Sequence, residues 1–188
     1  MIHDRAIRPD LLETVIESST NVFTFRGSQS VFGDGFVEAV GNAQLEAIAA
    51  AQPAAMRGQI INVPVVEAPR QTRGRFGWKG QQASLVSFSA DAYLNEMGFT
   101  SPLQPTENTS NGTRVPDDRI TDDEGGDVEL FALFMRSLKA PPRNSALADT
   151  QDARAGGEVF SQIGCSVCHT PSLVTAEPET PISISAGS

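Results

Sequence analysis

The 188-residue sequence contains only two cysteines, two histidines, one tryptophan and one tyrosine. Two cysteines exclude a dense disulfide framework, and a chain of this length buries roughly 70% of its unfolded surface without one. The sequence has no run of about 20 apolar residues, so no membrane-spanning helix is predicted. Basic residues are also few, 14 against 23 acidic residues, for a net charge of −9. This charge balance excludes the basic footprint of a nucleic-acid-binding protein.

The hydrophobic pattern predicts a mostly α fold with long loops and a small β patch. The predicted edge strand covers residues 60–66 and contains Pro64, which cannot donate to a neighbouring strand. Helices are predicted over residues 10–19, 37–52, 81–97, 128–139 and 152–162.

Helix boundaries follow from the capping residues. Pro53 is expected to end the second helix and Gly98 the third, while Asp127 and Asp152 are the predicted N-caps of the last two. Residues 101–126 are predicted to form a loop, long enough to be functional or mobile. These boundaries separate a helical region over 1–145, which includes this loop, from a C-terminal segment over 146–188.

Both cysteines lie in one motif, Cys165-Ser-Val-Cys168-His169. Two thiols three residues apart on one turn can each form a thioether with a vinyl group of the same haem, and the adjacent histidine can then bind the iron. Gly156 and Phe160 precede the motif at helical spacing, which suits a helix that packs closely against another element. The motif therefore predicts covalently bound haem c, with His169 as axial ligand.

Other interpretations of this motif fit less well. A thioredoxin-like redox pair needs a preceding strand, whereas a helix is predicted there. A structural zinc site needs four ligands, and the whole chain has two cysteines plus His3 and His169. A chance motif with two free thiols is the remaining alternative.

Several segments resemble a known family in sequence and in order: 31–40 (VFGDGFVEAV), 74–79 (GRFGWK), 82–85 (QASL), 90–102 (ADAYLNEMGFTSP), 138–143 (LKAPPR) and the motif region 156–171. This is the family of bacterial di-haem c-type oxidoreductases, also called thiol oxidoreductases or di-haem peroxidases. The resemblance covers roughly residues 25–175. It implies a redox function with haem c, an electron-transfer protein partner and export to the periplasm.

The sequence departs from this family in two respects. Family members carry two Cys-x-x-Cys-His motifs, whereas this chain has one, and no secretory signal peptide is present in it. A partial chain, covering the middle of a member and its second haem motif, explains both departures. The resemblance then implies that residues 1–145 are a helical region of the di-haem oxidoreductase type and that residues 146–188 are the start of a truncated cytochrome c-like haem domain. A natural mono-haem version is the rival explanation.

The second axial ligand of the iron is predicted to come from upstream of the motif or from sequence outside the chain. The 19 residues after His169 include neither methionine nor histidine. Met97 is the preferred candidate, although a methionine at helical spacing is more often part of a core than a ligand. The further candidates are Tyr93, Met135, Met56 and His3.

Two further residues are predicted to contact or serve the haem. Arg75, with its neighbours Arg70 and Arg73, can pair with a haem propionate, because a guanidinium binds carboxylates through two parallel hydrogen bonds. The resemblance suggests that Trp78 relays electrons between two haems. A buried aromatic side chain that anchors a turn is the simpler interpretation of Trp78.

An acidic cluster lies in the predicted loop and includes Asp117, Asp118, Asp122, Asp123, Glu124 and Asp127. Carboxylates at this density are ligands that Ca²⁺ accepts, but their spacing does not match an EF-hand. A solvated acidic loop is therefore favoured over a calcium site.

The predicted function is that of a haem c redox protein. An open distal position would allow peroxidase-like chemistry, and a filled one would make the domain an electron carrier. The alternative is a non-catalytic fragment or binding domain that needs missing sequence or a partner chain to complete its haem pocket.

Overall fold

A computed structural model describes residues 22, 24, 25, 27–108 and 120–176. The helix predicted over 10–19, His3, and the acidic residues 117 and 118 lie outside the described residues. The prediction of a mostly helical fold with a small β patch is confirmed. The elements are helices α1 (Asp34–Glu38), α2 (Asn42–Ala51), α3 (Leu85–Ala92), α4 (Gly126–Ser137), α5 (Ser145–Ala148) and α6 (Gln151–Gln162), with strands β1 (Asn62–Val65) and β2 (Arg70–Arg73).

The core lies between α3 and α4. Its buried members are Phe76, Leu85, Val86, Ala90, Val128, Ala132 and Met135. Phe76 lies stacked on Phe88 of α3, with ring centroids 5.8 Å apart. Burial of a large apolar side chain contributes about 2 kcal/mol, so these residues supply much of the stability of the region.

The third helix begins later than predicted, at Leu85 rather than at residue 81. Gln82 is held in an antiparallel bridge with Phe76, and the Ser84 side chain accepts a hydrogen bond from the Ser87 amide as the N-cap. The helix continues as a π-helical turn over Tyr93–Met97 and ends at Gly98, which is left-handed as the sequence predicts.

The prediction of a single helix over 37–52 is wrong, because the helical backbone is interrupted between the end of α1 at Glu38 and the start of α2 at Asn42. Gly41 is extended and serves as the N-cap of α2. The Val40 carbonyl accepts a hydrogen bond from Arg75, and Val40 pairs with Thr175. Tertiary hydrogen bonds therefore replace the helical bonds at this point. The helix ends before Pro53, as predicted.

The predicted strand is shorter than residues 60–66 and pairs with a second strand. Val63 lies opposite Thr72 in the antiparallel β1–β2 register. No strand is predicted over β2, since Arg70-Gln-Thr-Arg73 lacks the apolar alternation of a strand. A tight loop follows, in which a Cβ on Gly74 would overlap the Gly80 carbonyl.

The N-terminus of α4 is capped by Asp123 rather than by the predicted Asp127. Gly125 is left-handed, so the chain turns back and places the Asp123 carboxylate over the first turn. This carboxylate accepts hydrogen bonds from the amides of Gly125, Asp127 and Val128. Asp127 lies within the first turn of the helix instead.

The last two helices lie outside the core. Thr150 caps α6 by accepting a hydrogen bond from the Ala153 amide at 3.2 Å, so the predicted cap at Asp152 is also wrong. The short helix α5 was not predicted. No residue between 145 and 176 is fully buried. This part of the chain therefore adds almost nothing to the core.

Candidate haem-attachment site

The Cys-x-x-Cys-His motif forms one compact turn, which we call the attachment turn (residues 164–169). Gly164 is left-handed, with φ of 88°, and ends α6 so that a 3₁₀ helix can start at Cys165. The Cys165 carbonyl accepts hydrogen bonds from the amides of Cys168, at 3.1 Å, and His169, at 2.9 Å. Both cysteines and the histidine are thus held on a single turn.

The reactive groups of the attachment turn are accessible. Both cysteines are free thiols, with Cys165 half-buried and Cys168 exposed. The imidazole of His169 is exposed and lies against the ring of Phe160, with centroids 5.7 Å apart. No group of three or more His, Cys, Asp or Glu side chains is gathered at a common point within the described part of the chain.

The face of α6 beside the turn is apolar and exposed. Val159 is 51% exposed, Phe160 41% and Ile163 70%. A Cβ on Gly156 would meet nothing within 4 Å, so the close packing expected at this glycine is not made by the described residues. Two free thiols, one accessible imidazole and an uncovered apolar face together match the donors and surroundings that haem c requires. The residues present therefore fit this cofactor.

Helix α2 receives the attachment turn and the segment after it. The Gln52 side-chain amide donates a hydrogen bond to the Val167 carbonyl at 3.0 Å, in the middle of the motif. Farther along, the Val174 amide donates to the side-chain oxygen of Gln44 at 3.0 Å. The Ala176 amide then donates to the Ala39 carbonyl at 2.7 Å.

A cavity borders this contact. It has a volume of about 260 Å³ and is lined mainly by apolar residues of α2 and the 58–61 segment, with Gln52 and Lys79 also on its wall. Gln52 thus contacts the attachment turn and the cavity at once. Its side-chain oxygen accepts a hydrogen bond from the Gly58 amide at 2.7 Å.

Arg75 lies at the break between α1 and α2. Its guanidinium donates to the Val40 carbonyl at 2.7 Å and to the Asn42 side chain at 2.9 Å. Val40 also pairs with Thr175, so Arg75 supports the backbone that receives the segment after the motif. Pairing of Arg75 with a haem propionate stays a prediction. Of its neighbours, Arg73 pairs with Glu46 at 2.6 Å.

Trp78 lies near the tip of the 74–80 loop and is 53% exposed. The interpretation as a buried anchor is therefore wrong, since Phe76, two residues earlier, enters the core instead. The loop turns at Gly77 and Gly80, which both have positive φ. A relay role for Trp78 stays a prediction.

The candidate distal ligands lie in different surroundings. Met97 is 49% exposed at the end of the π-helical turn, and Met56 is 53% exposed after α2. Met135 is 2% exposed within the core, where its thioether fills space between α3 and α4. Tyr93 packs its ring edge-on against Phe131. Burial and a repulsive Coulomb interaction with Asp127 and Asp123 raise the pKa of the Tyr93 hydroxyl.

The described acidic residues of the loop serve the fold. One oxygen of Asp122 accepts hydrogen bonds from the Thr100 amide at 2.9 Å and the Thr100 hydroxyl at 2.8 Å. The Asp123 carboxylate accepts hydrogen bonds from backbone amides at the N-terminus of α4. These contacts account for two carboxylates of the cluster that was weighed as a calcium site.

Sequence reasoning missed the residues that position the motif. Gln44 lies in α2 and Gln52 is its C-cap. Neither belongs to a pattern of ligands in the sequence, and glutamine in or beside a helix is ordinarily assigned to a solvated face. Glu38 was also missed. Its carboxylate binds Arg136 of α4 at 2.6 Å and accepts the Leu85 amide at 2.7 Å, which joins three helices.

Comparison with known proteins gives one family. Residues 11–183 match the family described as "Di-haem oxidoreductase, putative peroxidase", which covers most of the chain. No curated protein and no solved structure matches the chain. Within the described residues, no helix has the length and apolar character needed to cross a bilayer.

Proposed function

The chain belongs to the di-haem oxidoreductase family, and we propose that it holds haem c covalently through Cys165 and Cys168, with His169 as axial ligand. The observation that carries this proposal is the attachment turn, which presents two free thiols and an exposed imidazole from one 3₁₀ turn. Family membership supports a haem-binding redox function. The covalent attachment is our inference from the turn.

The side chains of the attachment turn have separate tasks. Cys165 and Cys168 would hold the haem as thioethers, each thiol adding its sulfur and its hydrogen across one vinyl double bond without an external oxidant. His169 would offer a ring nitrogen to the iron, and the ring of Phe160 lies against its imidazole. When bound, the haem supplies one-electron oxidation and reduction.

The reaction class depends on the distal side of the iron. With Met97 or another side chain as second ligand, the protein is an electron carrier; with an open position, it has peroxidase-like activity. We propose the periplasm as its compartment, because thioether attachment of haem takes place there in bacteria. An electron-transfer protein is its proposed partner.

A second candidate is supported by the exposure of α6. No residue in 145–176 is fully buried, and Val159, Phe160 and Ile163 are open to solvent. Additional protein, from a longer chain or from a partner, would then be required to complete the haem pocket. In this case residues 146–188 are the beginning of a haem domain whose remainder is supplied elsewhere.

The test is expression of the full 188-residue chain with a secretion signal and the c-type maturation machinery. We expect a band that stains for haem after denaturing electrophoresis and a c-type absorption spectrum of the reduced protein. The double variant Cys165→Ala/Cys168→Ala should lose the stain completely. Ser166→Ala, between the two cysteines, is the matched control and should keep it.

The spin state then separates the outcomes. A low-spin oxidised spectrum would identify a filled distal position, and Met97→Ala would convert it to high spin if Met97 is the ligand. A high-spin spectrum would indicate an open position. Failure of the wild-type chain to stain would refute covalent attachment by this chain alone and favour the partner-dependent candidate.

A further inference from the structure

The peptide bond between Val167 and Cys168 is held at both ends. Its N–H donates to the Cys165 carbonyl at 3.1 Å, and its C=O accepts from the Gln52 side chain at 3.0 Å. Two hydrogen bonds on opposite sides of one planar peptide fix its rotation. The orientation of this peptide sets where the Cys168 thiol and the following His169 point.

The first of these bonds is local to the turn, and the second is not. Gln52 lies 115 residues before Val167 in the sequence. The attachment turn is also followed by a segment that Gln44 holds from the same helix. Without Gln52, the turn would keep its local bonds but would lose its connection to α2 at the motif itself.

Gln52 is itself held in place. Its side-chain oxygen accepts the Gly58 amide at 2.7 Å while its side-chain nitrogen donates to Val167. The side-chain amide of Gln52 is therefore held by hydrogen bonds at both its oxygen and its nitrogen. The conformational entropy of this side chain is lost when the protein folds and not when haem attaches.

We propose that Gln52 is a positioning residue for haem attachment, which orients the Val167–Cys168 peptide through its side-chain amide. This inference rests on the proposed function of the turn. The described side-chain hydrogen bonds of Gln52 go to the backbone of Val167 and Gly58 and not to the thiols or the imidazole, so it acts through the backbone that carries them.

The substitution of choice is Gln52→Glu. A carboxylate keeps the acceptor for the Gly58 amide but has no N–H to donate to the Val167 carbonyl. Gln44→Glu is the matched control, since Gln44 uses only its oxygen towards Val174 and a carboxylate preserves that bond. Both variants change the net charge by −1, so Gln44→Glu controls for net charge. Gln44 lies in the first turn of α2 and Gln52 directly follows its last turn, so the two new charges interact with opposite ends of the helix dipole.

The first measurement uses the full chain without haem. We expect Gln52→Glu to raise the alkylation rate of the half-buried Cys165 about fivefold, the effect of one lost hydrogen bond on the population of the open turn. The rate at the exposed Cys168 should change less, and Gln44→Glu should match the wild type at both cysteines. Equal Cys165 rates in the two variants would overturn the proposal.

The second measurement uses the haem-loaded chain. Gln52→Glu should broaden or shift the electron paramagnetic resonance signal of the oxidised iron, because His169 is held less firmly, whereas Gln44→Glu should leave it as in the wild type. Identical spectra in both variants would overturn the proposal. If the wild type binds no haem, the proposed function fails, yet the alkylation comparison still tests the role of Gln52 in the turn.

Discussion

Single carboxylates hold the helices of this protein together. Glu38 is the clearest case, because one side chain binds Arg136 and the Leu85 amide and so joins α1, α3 and α4. The Glu38 and Arg136 side chains are 21% and 22% exposed, so the pair is largely shielded from water. The hydrogen bond with Glu38 also raises the pKa of Arg136, a guanidinium that is charged at any working pH even without this partner.

Glu38→Gln should therefore lower the free energy of unfolding by about 2 kcal/mol, because Arg136 is left shielded without its counter-charge. Glu46→Gln is the control, since it removes the more exposed Arg73 pair and should cost less than about 1 kcal/mol. Urea unfolding of the full chain measures both. Equal losses would show that Glu38 has no special structural role.

Asp122 shows how a carboxylate on the surface is tuned by hydrogen bonds. The Thr100 amide and then the Thr100 hydroxyl lower the pKa of Asp122. A carboxyl with a lowered pKa in the folded state stabilises the fold at pH values above its unfolded pKa. It loses that contribution only as the pH falls through the folded pKa.

An NMR titration of the carboxyl carbons should place the Asp122 midpoint below the ordinary aspartate value. Thr100→Val should raise it only partly, because the backbone amide of residue 100 still donates. Asp91, whose pKa is raised by burial, is the internal reference and should not respond. An Asp122 midpoint that is unaffected by Thr100→Val would contradict this assignment.

At the scale of elements, the start of a helix is set by a capping side chain from a residue that precedes the helix. The start of α4 is the informative example, because either Asp123 or Asp127 could be the residue whose side chain caps the helix. Asp127 stands nearest to the apolar stripe, yet the left-handed Gly125 brings Asp123 over the first turn. The Asp123 carboxylate is 8% exposed and accepts three amides there.

Asp123→Ala should consequently destabilise the protein by about 1–2 kcal/mol, the cost of a lost N-cap. Asp127→Ala should cost less than about 1 kcal/mol, because only a favourable charge near the helix N-terminus is lost. Thermal or urea unfolding ranks the two variants. The reverse order would restore Asp127 as the cap.

The whole molecule has an uneven distribution of buried surface. The core gathers around α3, α4 and Phe76, whereas residues 145–176 contain no fully buried side chain. The attachment turn is thus carried on a part of the chain without fully buried residues. One hydrogen bond from Gln52 joins it to the end of α2, and Gln44 of α2 binds the segment that follows the turn. Such a region opens locally at a lower free energy than the core.

Hydrogen exchange measured by mass spectrometry should show this difference in the chain without haem. Amides of α6 should exchange at least about tenfold faster than those of α4, since α6 opens without unfolding the core. Peptides from α3 serve as the reference for the core. Equal protection in α4 and α6 would mean that residues 145–176 unfold together with the core.

The sequence by itself determined the family, the motif on which the proposed function rests and most of the helical content. The spacing of Cys165, Cys168 and His169 on one turn is local, and so are the apolar stripes of the helices and the left-handed end at Gly98. These features depend on residues within a few positions of one another, which the order of the amino acids specifies directly.

Only the tertiary structure decided which distant groups complete these local features. Three contacts join residues far apart in the chain. Arg75 binds the Val40 carbonyl between α1 and α2, β2 pairs with β1, and Gln52 binds the Val167 carbonyl. A glutamine at the end of a helix can form hydrogen bonds with many partners. Its actual partner depends on which carbonyl group the tertiary structure brings close to it. Distant hydrogen bonds therefore hold the backbone of a motif whose residue spacing is local.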